Sequence, residues 1–600
     1  MNNTTPQTDY SLPKDGYIAF DAMSLRNLII KRLNDQGIFT DQNYLGSNLS
    51  CIIDIVSYVF HTLIYYLHRT SSEATFTEAQ LVENINKIVK LLDYKPIGYQ
   101  TSTLPFICRA PGNFPVGGYT IPRYSYITVG NLPFSFGRDA SFVISQTSAV
   151  EQEITELSNN ELLYQGVFQE YPLYSAAGDE HETVVINRSD VIIDHFSVDV
   201  YVWESERERW YQYKEVPTTY VEAPNARIFE KRLNSNGLYE VSFGDGIAGR
   251  RLVVGDRVAI YYLQSFGANG VIGPRSAQTA TKSFFASTQY TDIIQDVVPN
   301  IESLVPRARY QSLLFDNAVG STIPRDFESV DSIRNNAPAS FKSQYRVVTK
   351  EDYETYIRTN FANFISDVRV LDNWQYMSNY LSYFERIGVG SSNFRQILFN
   401  QVQYADSCNF NNVYICSLPR VSSGTSLKYL VPAQKELIKT DIEKLKTINA
   451  EISFVDPVYK AFDIGIPDSN GDFAVSDSEF CVLEVLKERT SLRASQSITN
   501  DVVRVFNEML NVSNVKLGAP FPFSEITTRL LSIDGVTAIR TKRTDTNRTL
   551  NGLHLFVWNP IYSSLDYQTC SSDLAMEPYE AFYFNGIANL YRKIQIIPDK

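Results

Sequence analysis

The residues best placed by type and spacing to do chemistry are acidic ones among glycines. Phe243-Gly244-Asp245-Gly246 is followed by Gly249 and by Gly255-Asp256. An aspartate in such a setting could ligate a metal or act as a catalytic carboxylate, but no second carboxylate and no histidine stands beside it. Asp-Gly between strands instead signals a tight turn, which needs positive φ. Gly244, Asp245 and Gly246 are therefore read as a structural turn. Neither this run nor Gly112 to Gly118 has the spacing of a phosphate-binding loop. Asp468, Asn470, Asp472 and Glu479 hold positions 1, 3, 5 and 12 of a calcium-loop spacing. Position 6 must be glycine and is Phe473, so the segment reads as a solvated acidic loop.

His61 and His68 lie two turns apart on a predicted helix, about 10 Å of rise, too far to share one metal. No Gly-x-Ser-x-Gly elbow offers a hydrolase nucleophile. Arg540, Lys542, Arg543 and Arg548 surround a predicted hairpin and read as protective charges on a solvated edge strand. No catalytic, cofactor-binding or metal site is expected. The alternative of another class, a glycan hydrolase, would need paired carboxylates in a cleft, and no motif supplies them.

The elements that would carry these residues change period along the chain. Residues 1–105 read as helical. Asp21 caps a first helix with Leu25, Leu28, Ile29 and Leu33 on one stripe, and Gly37 ends it. A second helix starts near Ser47. Leu49, Ile52, Ile53, Val56, Phe60, Leu63, Ile64 and Leu67 recur along it at three- and four-residue steps. Cys51, Ile55, Tyr58, Tyr65 and Tyr66 widen that stripe. A third helix opens on a Thr77/Gln80 capping box, continues through Leu81, Ile85 and Ile88, and is closed by Pro96. These stripes are broader than three helices need. Either a partner helix or the next domain covers the excess. The stretch Cys51 to Leu67 is read as too short and too polar for a membrane span.

From 106 to 345 the period is two, in a β-rich domain over 106–230 and a second over 231–345. Phe196, Val198, Val200 and Val202 alternate with Asp199, Tyr201 and Trp203, and Val258, Ile260 and Tyr262 alternate with Ala259, Tyr261 and Leu263. Residues 346–479 read as an α+β domain: a Thr349/Asp352 helix, strands at Val368–Leu371 and Asn412–Leu418, and a helix from Pro432 to Leu445. Residues 374–410 are irregular. Residues 480–600 form a second α+β unit, with Val482 to Leu510 mainly helical but broken near Ser491–Ser497, and Ser524 capping Glu525–Ile533. The fold class expected is multidomain α+β: an N-terminal helical bundle, central antiparallel β domains, and two C-terminal α+β sandwiches.

Composition limits the function. The 600 residues contain 54 Lys and Arg against 67 Asp and Glu, a net charge of −13. Such a chain repels phosphate backbones, which argues against nucleic acid. Six cysteines form no CxxC pair and read as free thiols in a reducing cell. The first residues show no signal peptide, so the chain is expected to stay on the cytosolic side or in something assembled there. The 38 Tyr and 35 Phe suit strands and interfaces.

Several motifs together resemble a known family. Leu252 through Gly255-Asp256 to Tyr261-Tyr262, preceded by Phe243 to Gly246, resembles the signature of the baseplate J family of contractile phage tails. Ile333-Arg334, Ala337-Pro338 and Arg346-Val-Val-Thr349-Lys-Glu-Asp352-Tyr353 resemble its second block. Val455-Asp456-Pro457 and Gly535-Val536 resemble its weaker later features. Phe39 to Gln42, Gly46 to Asn48, Tyr65 to Leu67, Ser71 to Glu73, Asn84, Leu92 to Gly98 and Val557-Trp558-Asn559-Pro560 resemble the wedge proteins of T-even-type phages.

The resemblance implies a non-enzymatic structural subunit of the baseplate inner ring, located in the virion tail and assembled in the host cytoplasm. It implies a second copy of the chain as partner and a larger wedge protein joined through a helical bundle. A lysozyme-like sheath-initiator protein, another small wedge protein and the central hub are further implied neighbours, with no membrane and no nucleic acid. The partner-helix interface would use Leu49, Ile52, Ile53, Val56, Phe60, Leu63, Ile64, Leu67, Leu81, Ile85 and Ile88. The C-terminal ring contact would use Ile526, Leu530, Val536 and Trp558. A J-type protein of a simpler contractile tail or injection machine is the alternative.

Overall fold

A computed structural model describes residues 22–37, 47–92, 94–220, 222–234, 237–297, 304–344, 346–372, 375–376, 412–420, 429–465, 481–510, 515–543, 548–558, 568–584 and 590–599. Helices and many antiparallel sheets make a multidomain α+β fold. The chain divides into two compact units, Met1–Asp93 with Ser329–Arg334, and Tyr94–Glu328 with Asn335–Lys600. The calcium-like run at 468–479, the segment 377–410, Phe39 to Gly46 and Cys408 lie outside the described residues. The five described cysteines are free thiols.

The first unit holds three helices: α1 (Ala22–Gln36), α2 (Asn48–Glu73) and α3 (Val82–Val89). Gly37 follows α1 with φ +64°, a conformation glycine adopts without strain. Ser47 caps α2 by accepting the Ser50 N–H at 3.0 Å. Arg26 of α1 pairs with Asp54 of α2 and donates to Ser50 Oγ at 3.3 Å. The Thr77/Gln80 cap is corrected. Glu73, at the end of α2, accepts the N–H groups of Gln80 and Leu81 and the Asn84 amide at 3.1–3.3 Å. A carboxylate already held by one helix thus satisfies donors at the next helix's positive end. Arg334 donates to the carbonyls of Phe76 and Ala79 in the same loop.

The membrane reading of the second helix also needs correction. The helix runs 26 residues, about 39 Å at the usual rise, and is long and apolar enough to cross a membrane by length and composition.

The second unit begins with a five-stranded antiparallel sheet: Thr103–Leu104, Leu163–Gln165, Leu132–Phe136, Tyr126–Val129 and Thr281–Ser283, in that order. An eight-stranded sheet follows, from β1 (Val167–Glu170), β2 (Tyr174–Ser175), β3 (Thr183–Ile186), β4 (Ile192–Glu204), β5 (Arg209–Glu215), β6 (Ile228–Leu233), β7 (Tyr239–Phe243) and β8 (Arg257–Ser265). Its order is β2-β8-β4-β5-β6-β7-β3, with β1 also on β8, and only β5 and β6 run parallel. Strands from either side of residue 230 share it.

The sheet curls around its core until its ends meet through side chains. The Tyr171 hydroxyl donates to Val185 O at 3.0 Å, and the Tyr174 hydroxyl to Glu182 at 2.9 Å. The period of two sorts residues to different cores. Val258, Ile260 and Tyr262 of β8 pack inside with Val198, Val200 and Val202. Ala259, Tyr261 and Leu263 face a second core with Tyr124, Phe168, Tyr201 and Tyr290. Phe196, expected inward, is exposed.

Beyond residue 346 the helices Lys350–Asn360 and Pro432–Ile442 share a core with a three-stranded sheet, Ile365–Asp372, Asn412–Pro419 and Glu451–Val455. The Thr349 side chain accepts the Asp352 N–H, and Asp352 accepts the Thr349 N–H, a full capping box.

The C-terminal region has two four-stranded sheets about one core. One contains Val458–Asp463 between Leu555–Trp558 and Glu580–Phe584. The other contains Cys481–Lys487 between Val536–Arg543 and Ile594–Pro598. The helical reading from Val482 is therefore corrected. Cys481–Lys487 is a strand, because two neighbours satisfy its backbone, and the helix starts only at Ser495. The helix Phe523–Leu531 is entered through Pro522, not Ser524, whose N–H goes to Asp573 at 2.8 Å. Val536–Arg543 is not an edge strand, since Thr549–Asn551 pairs with its far side.

Removing the Thr349 hydroxyl by Thr349→Ala should cost about 1 kcal/mol in chemical denaturation, and Thr349→Ser should retain most of that stability.

Candidate functional site

Two features gather the residues singled out by sequence. The first is the surface of α2. Its narrow inner side, toward α1, is Ser50, Ile53 and Ser57, all buried, with Leu49 and Ile64 half-buried. Among the described residues, the rest of its circumference is open. Phe60 is 51% exposed, Leu63 58% and Leu67 72%, and Ile52, Val56, Val59, Tyr65 and Tyr66 are exposed with them.

Ile52, Val56, Val59, Leu63 and Tyr66 follow steps of four and three, so they run as one seam along the helix. Thr62 and Thr70 donate their hydroxyls to the carbonyls of Tyr58 and Tyr66, which keeps these polar atoms satisfied on the helix itself. In the third helix Leu81 is exposed, Ile88 half-buried and Ile85 fully buried. Of the predicted interface residues, Ile53 and Ile85 are therefore packed inside the chain. His61 and His68 lie exposed on α2. Among the described residues no cluster of His, Cys, Asp or Glu could hold a metal ion.

The second feature is the loop from Gly244 to Asp256. It joins β7 to β8, which are not neighbours in the sheet, so the Asp-Gly turn is not a hairpin. Asp245 Oδ1 accepts the N–H groups of Ile247 and Ala248 at 2.8 and 2.7 Å. Those backbone bonds hold its carboxyl below the usual carboxylate range. A Cβ on Gly244 would lie 2.3 Å from the Gly249 carbonyl carbon, so the loop closes only around glycine.

The sequence assigned no role to Asp256 beyond its place in the motif. It is a buried anchor. It accepts from the N–H and hydroxyl of Ser205, from Val253 N–H and from Arg250, at 2.8–3.1 Å. Burial pushes its carboxyl up, but these bonds outweigh it and hold the group below the usual range. Arg250 also reaches the Tyr213 hydroxyl, and Arg227 pairs with buried Glu204 while stacking 3.6 Å over the Tyr211 ring. The loop is thus a structural node, and each of its acids is engaged.

The predicted C-terminal contact residues are placed differently. Ile526, Leu530 and Trp558 are buried in the C-terminal core, and Val536 packs against it half-buried. Core packing already uses their apolar surface, so a ring neighbour would meet other residues. The basic run is partly neutralised: Arg540 and Lys542 both pair with buried Glu484.

No protein-family model matches the chain, and no curated protein matches it. Among solved structures, the chain is similar to one in the cryo-EM structure of the anti-feeding prophage (AFP) baseplate, 6-fold symmetrised. Identity is 9%, the match covers 95% of this chain and 99% of that one, and the TM-score is 0.30.

The two loop aspartates should respond differently. Asp245→Asn keeps an oxygen for both N–H groups and should leave the thermal midpoint nearly unchanged. Asp256→Asn removes the nearest carboxylate from Arg250, which keeps the Tyr213 hydroxyl and Glu204 at 3.6 Å, and should cost about 1–3 kcal/mol. Because the folded Asp256 carboxyl is depressed, its contribution is present above the unfolded value of about 3.9 and is lost as pH falls through the folded value. The acid limb of the stability–pH curve should therefore be shallower in Asp256→Asn than in the wild type.

Proposed function

We propose that this chain is a structural subunit of a contractile-tail baseplate, of the inner-ring wedge type, and that it performs no catalysis. The observation that carries this reading is the open apolar side of α2. A helix of 26 residues with large apolar side chains around most of its circumference is a poor surface for a lone chain in water. The exposed seam at alternating four- and three-residue steps suits packing against other helices. A bundle with a larger wedge protein and a second copy of this chain would cover it. The J-type motif supports the reading in kind, since its glycines and acids serve a structural node.

The further neighbours of this proposal are the lysozyme-like sheath initiator, a small wedge protein and the hub. The C-terminal region would meet adjacent subunits around the ring, and sheath contraction would follow a rearrangement of such contacts. The site of action would be the virion tail baseplate.

The first test is the solution mass of the purified chain by light scattering, alone and with the larger wedge protein. A dimer that takes up the partner as a discrete complex supports the proposal. A stable monomer that ignores the partner favours the J-type role in a simpler machine.

Substitutions separate folding from docking. Phe60→Asp and Leu63→Asp should keep the circular dichroism spectrum and weaken partner uptake at least about tenfold. Ile53→Asp should instead destabilise α1 and α2 themselves, by roughly 3 kcal/mol or more, because it buries an unpaired charge. Wild-type uptake by Phe60→Asp and Leu63→Asp together would refute the docking role of this face.

A further inference from the structure

The second unit contains a pocket of about 140 Å³ between the end of the helix Thr155–Asn160, β4 and the helix Pro432–Ile442. That volume is below the roughly 300 Å³ of a cofactor or drug-sized site. Its scale is that of one head group.

Its lining combines aromatic rings and charges. Tyr164, Phe168 and the exposed Phe196 line it with Arg138, Glu161 and Asp199. Arg138 Nε meets both Glu161 oxygens at 3.1 and 2.9 Å, and its Nη2 donates to Asn160 O at 2.6 Å. This pair cancels its own charge. Asp199 accepts the Tyr124 hydroxyl at 2.6 Å and lies 3.7 Å from Arg123. Arg123 is shared with Asp139 at 3.5 Å, so one cation faces two carboxylates. The Asp199 side chain keeps 24% exposure, enough to meet a ligand. The local balance is one net negative charge beside aromatic rings, which suits a cation. Burial pushes the carboxyls of both Asp199 and Glu161 up, a cost that a bound cation would relieve.

We propose that this pocket binds a guanidinium group. A guanidinium is planar and weakly hydrated, stacks on rings and meets a carboxylate with two N–H groups. A primary ammonium is more strongly hydrated and fits such walls less well. The group has two sources, an arginine side chain of a docking protein or a small free guanidinium compound.

Calorimetric titration of the full chain with n-propylguanidinium, n-propylammonium and N-acetylated, amidated Gly-Arg-Gly tests this. Saturable binding of n-propylguanidinium, tighter than that of n-propylammonium, is expected. Asp199→Asn should weaken it about tenfold, the loss of one charge-assisted contact. Phe196→Ala, at an exposed position, should weaken it severalfold with the fold unchanged, and decides the matter if Asp199→Asn does not fold. Equal binding of the arginine peptide assigns the site to a protein side chain, and binding of the free compound alone assigns it to a small molecule. No saturable binding, equal binding of n-propylammonium, or full affinity in both variants would overturn the proposal.

Discussion

β8 has almost no side in water, and that constraint organises the central part of the molecule. Val258, Ile260 and Tyr262 fill the inside of the curled sheet, while Ala259, Tyr261 and Leu263 fill the aromatic core on its other side. A strand buried on both faces needs its ladder complete and its entry fixed. β4 supplies the ladder along its length, with β1 and β2 on the other side. Asp256, immediately before the strand, fixes the entry by gathering Ser205, Val253 and Arg250. The glycines of the preceding loop are the means by which the chain reaches that position.

The first unit follows the opposite rule. Its long helix shows its neighbour α1 a narrow strip of small and apolar residues and leaves its bulk uncovered. Ser50 and Ser57 allow close approach on the inner side, where Arg26 ties Asp54. The single charge in the middle of an apolar helix is thereby neutralised at home. What remains outward from Ile55 to Leu67 carries no carboxylate, lysine or arginine. Specificity for whatever covers it must therefore come from shape and from hydroxyls and imidazoles, rather than from ion pairs.

Local chemistry was legible in the sequence, and long-range chemistry was not. The helix opening at Thr349 with Asp352, the helix start near Ser47 and the Gly37 stop involve residues within one turn, and the structure has all three. The third helix's true cap was hidden because Glu73 belongs to another element. Cys481–Lys487 was misread because a short apolar run is helix or strand according to its neighbours, which lie about 50 and 110 residues further on. Amphipathic spacing identifies an apolar side but not its occupant. It is equally strong for Leu63, which is open, and for Ile526, which is buried. The pocket was invisible for a related reason. Its walls come from segments near 138, 161, 199 and 435, and no spacing rule connects them.

The seam of the curled sheet differs in kind from the rest of it. Elsewhere neighbouring strands are joined by ladders of backbone hydrogen bonds, whereas side chains join the two ends: the Tyr171 hydroxyl bridges Val185 O and Asn187 N–H, and the Glu182 carboxylate accepts the Tyr174 hydroxyl and the N–H groups of Ala177 and Gly178. Strands joined by a ladder part only when bonds along their whole length fail together, but a seam held at two side-chain clusters parts when those two clusters give way. Under mechanical load the curled sheet therefore has a built-in line of yield, parallel to β2 and β3.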